Sequence, residues 1–413
     1  MAALIRWRRL RSILLLLGPK PAPVQLPALA DDLLREIFLR VASQTDLVRA
    51  AAACAAFRRV ILDATFLRRH RSLHPPRPLL LGLLHAGFFQ PAEPPHPNAH
   101  VAHLLSCAAG FSFDHLPPAA RGPWRPRDAC DGRVLLASGL DLLASGLDLA
   151  DLAVCDPLSG RYLLLPPVPD DLLASVQPVE QHLRGLEPLL VPSSDGDEDE
   201  TSFRVILRVQ TATKLVVFVY STASGCWIVG SSTTWDALGL SIASGHYRFD
   251  RHQCVNGCFF WRLECRRHKV LRLEISTMEL SAIDLPPGLD DADDVVIGEA
   301  GEGKLRVFGL VSRGEICSYA IALQDEDRAN EWQMESTIPL PSKYNCYIQV
   351  AAEGYIFLIG IPKDRKVRDK VCAVCFSLEM KTLKIEMVTR IWHRNCYFYP
   401  YFGFPPSMSP RRV

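Results

Sequence analysis

The stretches "VNGCFFWRL" (Val255–Leu263) and "VLRLEISTMELSAIDLPP" (Val270–Pro287) set a glycine turn before an apolar run, then a second run, a polar turn and a third run. Such order predicts short antiparallel strands joined by tight turns. It recurs. "CDGRVLLAS" (Cys130–Ser138) is followed by "LAVCDPLSGRYLLLPP" (Leu152–Pro167), and "AGEGKLRVFGL" (Ala300–Leu310) by "SYAIALQDEDRANEWQMESTIPLP" (Ser318–Pro341). "AAEGYIFLIGI" (Ala351–Ile361) precedes "AVCFSLEMKTLKIEMV" (Ala373–Val388), and "LVVFVYSTASGCWIVG" (Leu215–Gly230) is a further unit. Leu165-Pro166, Leu285-Pro286 and Leu340-Pro341 end strands, because proline cannot continue a ladder. Imperfect repeats of several strands each predict propeller blades, about six at roughly 45 residues apiece.

Upstream the periodicity changes. In "LADDLLREIFLRV" (Leu29–Val41), Leu33, Leu34, Ile37, Phe38 and Val41 form a broad apolar stripe at helical spacing. Asp31 and Asp32 suit a helix N-terminus, and Ser43 is positioned to cap a second helix carrying Leu47, Ala50, Ala51, Cys54, Phe57 and Ile61. A third short element holds Phe66 and Leu67. Three short helices bury little core, and so small a unit needs another surface, its own β domain or a second chain. The expected organisation is a basic extension at 1–28, a helical module at 29–71, a proline-rich linker at 72–78, a β domain at 79–405 and a tail at 406–413.

Composition excludes several classes. The 413 residues carry a net charge of +1, which sets no global field toward nucleic acid, and 48% hydrophobic with 22% charged residues is ordinary globular content. Residues 1–71 hold 13 Lys/Arg against 5 Asp/Glu, a solvated basic face or an attraction toward an acidic partner. The 13 cysteines lack paired spacing and no Asn-x-Ser/Thr sequon occurs, consistent with a reducing compartment, the cytoplasm or nucleus. The basic amino terminus leaves a transit peptide open, although its apolar run, Ile13 to Leu17, is too short for a secretory signal. No run approaches a membrane span, and no membrane partner is expected.

Catalytic and cofactor candidates are weak. "GEAGEGKL" (Gly298–Leu305) has the G-x-x-x-x-G-K spacing, but Leu305 stands where a hydroxyl would bind Mg²⁺ and a strand follows where a helix is needed. His252, Cys254, Cys258, Cys265 and His268 are irregularly spaced for zinc, and Cys258 lies in an apolar run. "CAVC" (Cys372–Cys375) has redox-motif spacing inside a strand-like run. "SSDGDEDE" (193–200) reads as a solvated acidic loop, and the doubled "LLASGLD" (135–148) as a duplication lengthening a loop. No catalysis, cofactor or metal is expected. Trp227, Trp235 and Trp261 are assigned to packing between blades ahead of exposed anchoring.

The helical block "LADDLLREIFLRVASQTDLVRAAAACAAFRRVILDATFLRRH" resembles the F-box of plant-type F-box proteins. "DGRVLL", "VCDPLSGRYLLLPPVP", "VFVYSTASGCW" and "EAGEGKLRVFGL" resemble the propeller-like domain that follows such F-boxes. The resemblance implies an α + β multidomain chain: a three-helix F-box followed by an all-β propeller-like domain. It implies a substrate-receptor subunit of an SCF (Skp-cullin-F-box) ubiquitin ligase, bound to a Skp-type adaptor and through it to cullin and RING subunits, with an unknown protein substrate. The implied adaptor contacts are Leu29, Leu33, Leu34, Ile37, Phe38, Val41, Leu47 and Phe57. Ala30 replaces the family's proline, Ala55 and Ala56 its basic pair, and Phe57 its tryptophan. These departures keep open a scaffold or decayed member with weak adaptor binding.

Overall fold

The computed structural model describes residues 31–61, 63–74, 79–109, 111–119, 122–139, 150–158, 160–176, 185–192, 202–240, 249–263, 266–286, 289, 292, 294–299, 304–312, 314–322, 332–364, 372–392 and 397–403. Leu29, Ala30, Cys265, the acidic 193–200 loop and most of the 135–148 duplication lie outside the described residues.

The helical region holds α1 (Asp31–Leu39), α2 (Gln44–Ala53), α3 (Ala55–Ile61) and α4 (Ala64–Leu73). Asp31 and Asp32 occupy the first turn of α1, where the helix dipole favours carboxylates. Ser43 Oγ accepts the Asp46 N–H at 3.3 Å, capping α2 as its sequence position predicts. Asp63 Oδ1 accepts the N–H groups of Thr65 and Phe66, each at 3.1 Å, and so starts α4. Leu34, Phe38, Leu39, Leu47, Ala51, Val60, Ile61, Phe66 and Leu67 form one small core.

The expectation of three helices is corrected to four among the described residues. The second helix does not continue from Ala53 to Ile61, because Cys54 adopts an extended conformation (φ −155°, ψ 163°). Its thiol accepts the Phe57 N–H at 3.5 Å and caps α3, while Arg58 Nε donates to Ala51 O at 3.1 Å at the end of α2. Nothing in the alanine run "AAAACAA" advertises the break, because neither glycine nor proline marks it.

The β region forms six sheets, the blade number expected from the repeats. Blade one is β3 (Trp124–Cys130), β4 (Arg133–Ser138), β5 (Leu152–Asp156) and β6 (Arg161–Leu164). Blade two is β7 (Gly185–Val191), β8 (Arg204–Gln210), β9 (Lys214–Ser221) and β10 (Cys226–Thr234). Blade three is β11 (Gln253–Val255), β12 (Cys258–Leu263), β13 (Arg266–Glu274) and β14 (Leu280–Asp284). Blade four is β15 (Val295–Glu299), β16 (Lys304–Ser312), β17 (Glu315–Ala322) and β18 (Gln333–Pro339), and blade five is β19 (Tyr344–Ala352), β20 (Tyr355–Pro362), β21 (Ala373–Glu379) and β22 (Ile385–Ile391). Each of these five sheets runs in sequence order from the axis outward. Leu165, Leu285 and Leu340 directly follow three outermost strands; each is buried, and the proline after it ends the ladder.

The sixth blade closes the ring. Its outer strands are β1 (Leu80–Leu84) and β2 (Phe89–Pro91), and its inner strand, β23 (Tyr399–Phe402), comes from the other end of the β region. Leu84 pairs with Tyr399 and Leu83 with Pro400. Closure in this manner removes the free inner edges of a sheet. Gly82 is required here: φ is +154°, and a Cβ would lie 2.1 Å from Gln90 O.

The helical unit packs onto this closing blade. Helix α5 (Ala99–Ala109) lies over β1, and Val48 of α2 joins the core that contains Leu80, Leu83 and Val101. Thr45 Oγ1 donates to Asn98 Oδ1 at 3.4 Å, and Asn98 Nδ2 donates to Leu80 O at 3.3 Å.

Candidate functional site

Two regions depart from the rule of apolar inside and charged outside. The first is α1. Its stripe is divided: Leu34, Phe38 and Leu39 are buried, whereas Leu33 and Ile37, one turn apart, are 55% and 45% exposed. Charged pairs surround them, with Arg35 Nη1 2.9 Å from Asp32 and Arg59 Nη2 2.7 Å from Asp31. His70 Nε2 of α4 donates to Val41 O and His74 Nε2, from the residue capping α4, to Leu39 O, each at 2.7 Å; the second bond satisfies the last carbonyl of α1. Sequence reading missed both histidines; "RRHRSLH" reads only as a basic helix end.

Of the expected adaptor contacts, Leu34, Phe38 and Leu47 lie inside the unit's own core, and Val41 and Phe57 pack against it. The Phe57 ring meets Phe38 edge-on, with centroids 5.1 Å apart. Leu33 and Ile37 remain on the surface.

The second region is the propeller axis. Inner strands β3, β7, β11, β15, β19 and β23 surround it. His252, just before β11, places Nδ1 3.0 Å from Glu187 Oε1 and Nε2 3.3 Å from Asp128 Oδ2. Glu187 Oε2 accepts from Arg208 Nη2 and from Trp261 Nε1, each at 2.7 Å. Arg208, only 6% exposed, lies over the rings of Phe249 (4.2 Å) and Trp261 (5.2 Å). Asp128 Oδ2 also accepts the Leu190 N–H at 2.8 Å.

Burial pushes the Glu187 carboxyl up, but the Arg208 guanidinium and His252 pull it down to about 2. Burial lowers the His252 imidazole, yet the Asp128 and Glu187 carboxylates hold it up at about 10. The group is therefore a charged network with opposite signs in contact, joining blades one, two and three. Sequence reading missed it. The available signal was Glu187 and Arg208 within strands that otherwise read as apolar core, "GLEPLLV" and "RVILRVQ". Beside it, Arg251 stacks on Tyr397 (5.2 Å) and Tyr399 (4.6 Å) and donates to Phe398 O at 2.5 Å, linking blade three to the closing strand.

Residues 127–346, just over half of the chain, match the family model described as "F-box protein AT5G49610-like, beta-propeller". The chain belongs to that family. No curated protein matches it. Solved structures similar to this F-box-family chain include the six-bladed Aleuria aurantia lectin, 11% identical, covering 64% of this chain and 76% of that one with a TM-score of 0.32. SapL1 lectin in complex with alpha methyl fucoside is 10% identical, over 67% of this chain and 83% of that one, with a TM-score of 0.34. A prolyl endopeptidase is 11% identical over 65% of this chain, which spans 42% of that protein's length, with a TM-score of 0.31.

The remaining motifs of this propeller resolve structurally. "GEAGEGKL" spans the ends of β15 and β16, which pair antiparallel with Glu299 opposite Leu305; residues 300–303 lie outside the described residues. In the Cys/His stretch, of which Cys265 lies outside the described residues, the side chains have separate partners. His252 faces Asp128 and Glu187, Cys258 accepts from Arg272 Nε at 3.3 Å, and His268 is exposed on β13. In "CAVC", Cys372 donates to Trp392 O at 3.1 Å and Cys375 is buried in β21. Trp227, Trp235 and Trp261 are all buried; the first two donate to Pro166 O (2.8 Å) and Thr211 O (3.2 Å).

Proposed function

We propose that this F-box-family chain is a substrate-receptor subunit of an SCF ubiquitin ligase, with α1 docking on a Skp-type adaptor and the propeller selecting a protein target. The observation that carries the proposal is the exposure of Leu33 and Ile37 on a helix whose other apolar side chains are spent on the unit's own core. An adjacent apolar pair ringed by charges is the pattern of a small interface anchor. The chain itself performs no catalysis in this reading; cullin and RING subunits carry out ubiquitin transfer.

Binding of purified full-length protein to a Skp-type adaptor, measured by calorimetry, tests the proposal. Wild type binds, and Leu33→Asp with Ile37→Asp does not. Absence of wild-type binding where a standard F-box binds would refute it. The replacements Ala55→Lys, Ala56→Arg and Phe57→Trp then separate a full receptor from a weakened one: a large gain in affinity would identify a decayed docking face. Ala55 is exposed and Ala56 half-buried, so both basic side chains can be accommodated.

A further inference from the structure

Blades one to five follow the same inner-to-outer order, so the turns after their inner strands gather at one end of the axis. Among the turns whose residues are all described, two carry acids: Asp131-Gly132 between β3 and β4, and Glu353-Gly354 between β19 and β20. Cys130, the last residue of β3, lies beside them. One donor atom from each of Cys130, Asp131 and Glu353 falls within 4.8 Å of the other two. The Cys130 Sγ to Glu353 Oε1 distance is 3.8 Å. A tetrahedral zinc ion with ordinary Zn–S and Zn–O bonds holds its sulfur and oxygen ligands about 3.6 Å apart.

We propose that Cys130, Asp131 and Glu353 form a binding site for a divalent transition metal of the zinc class, with water in the fourth position. The donor set points to that class. A thiolate beside two carboxylates disfavours Mg²⁺ and Ca²⁺, which take all-oxygen shells, and suits a borderline-soft tetrahedral ion. The scaffold is already fixed: the buried Tyr401 hydroxyl of β23 donates to Gly132 O at 3.0 Å and holds the turn that carries Asp131.

The ligands belong to blades one and five, on either side of the closing blade, so an ion here would tie the ring across its seam. This site does not depend on adaptor docking.

Metal-free full-length protein titrated with Co²⁺, followed by Zn²⁺ competition, tests the site. The expected result is a single equivalent of Co²⁺ with a thiolate-to-cobalt charge-transfer band, displaced by Zn²⁺, and a raised melting temperature in the loaded protein. Cys130→Ser and Glu353→Gln should each weaken binding by more than about 100-fold. Cys107→Ser and Cys226→Ser, at exposed thiols elsewhere, should leave it unchanged. Glu353→Gln keeps the side-chain shape and removes one of two crowded carboxylates, so its metal-free melting temperature should equal or exceed that of wild type. Absence of the thiolate band in wild type, or its persistence in Cys130→Ser and Glu353→Gln, would overturn the proposal.

Discussion

The helical unit leaves Leu33 and Ile37 in solvent, while the propeller axis encloses Glu187, Arg208 and His252. Both arrangements are unfavourable in isolation, and they are resolved differently. On α1 the apolar pair has no cover among the described residues, which leaves it open to a second molecule. At the axis the charges are matched internally, each carboxylate meeting a cation or an N–H donor. An uncovered apolar pair is a device for association; a matched buried network is a device for holding blades in register.

Substitutions at the two places should therefore have opposite signatures. The largest effect is expected from Leu33→Asp with Ile37→Asp. Adaptor binding should be lost altogether, while the unfolding free energy changes by no more than about 0.5 kcal/mol, as surface substitutions usually do. A melting curve beside the binding isotherm checks both halves, and a large stability loss would break the contrast. Next comes His252→Ala, which leaves Asp128 and Glu187 facing each other without the imidazolium. Chemical denaturation should show a loss of about 3–5 kcal/mol, with adaptor binding unchanged at a temperature where the variant is folded.

The pH dependence sharpens the same comparison. His252 is raised from 6.5 to about 10 in the folded protein, so its contribution is complete below pH 6.5 and fades as pH rises through 10. Glu187 is lowered from 4.5 to about 2, so its contribution is present above pH 4.5 and is lost as pH falls through 2. The stability gap between wild type and His252→Ala should thus be widest between pH 4.5 and 6.5 and should narrow toward either extreme. A gap independent of pH would remove the electrostatic account. The smallest effect is expected from Asp63→Ala, which deletes the cap of α4 and should cost about 1 kcal/mol in urea unfolding.

Much of the architecture could be read before any coordinates. Glycine turns preceded apolar runs, and Leu-Pro pairs closed blades, because turn geometry and ladder termination are local matters. The Ser43 cap and the acidic start of α1 were legible for the same reason. The break at Cys54 was not, since an alanine run satisfies helix propensity on both sides of it. The division of the α1 stripe was also hidden. Five apolar residues at helical spacing look equivalent until packing shows which are enclosed.

By itself, the sequence determined the order of elements, the division into a helical part and a repeated β part, and the approximate number of blades. These follow from periodicity and turn chemistry within windows of a few residues. Tertiary structure alone decided that β23 completes the blade begun by β1 and β2, that Glu187, Arg208 and His252 meet at one axis, and that Cys130 and Asp131 face Glu353. Such pairings join residues from tens to hundreds of positions apart, and only closure of the ring brings them within bonding distance.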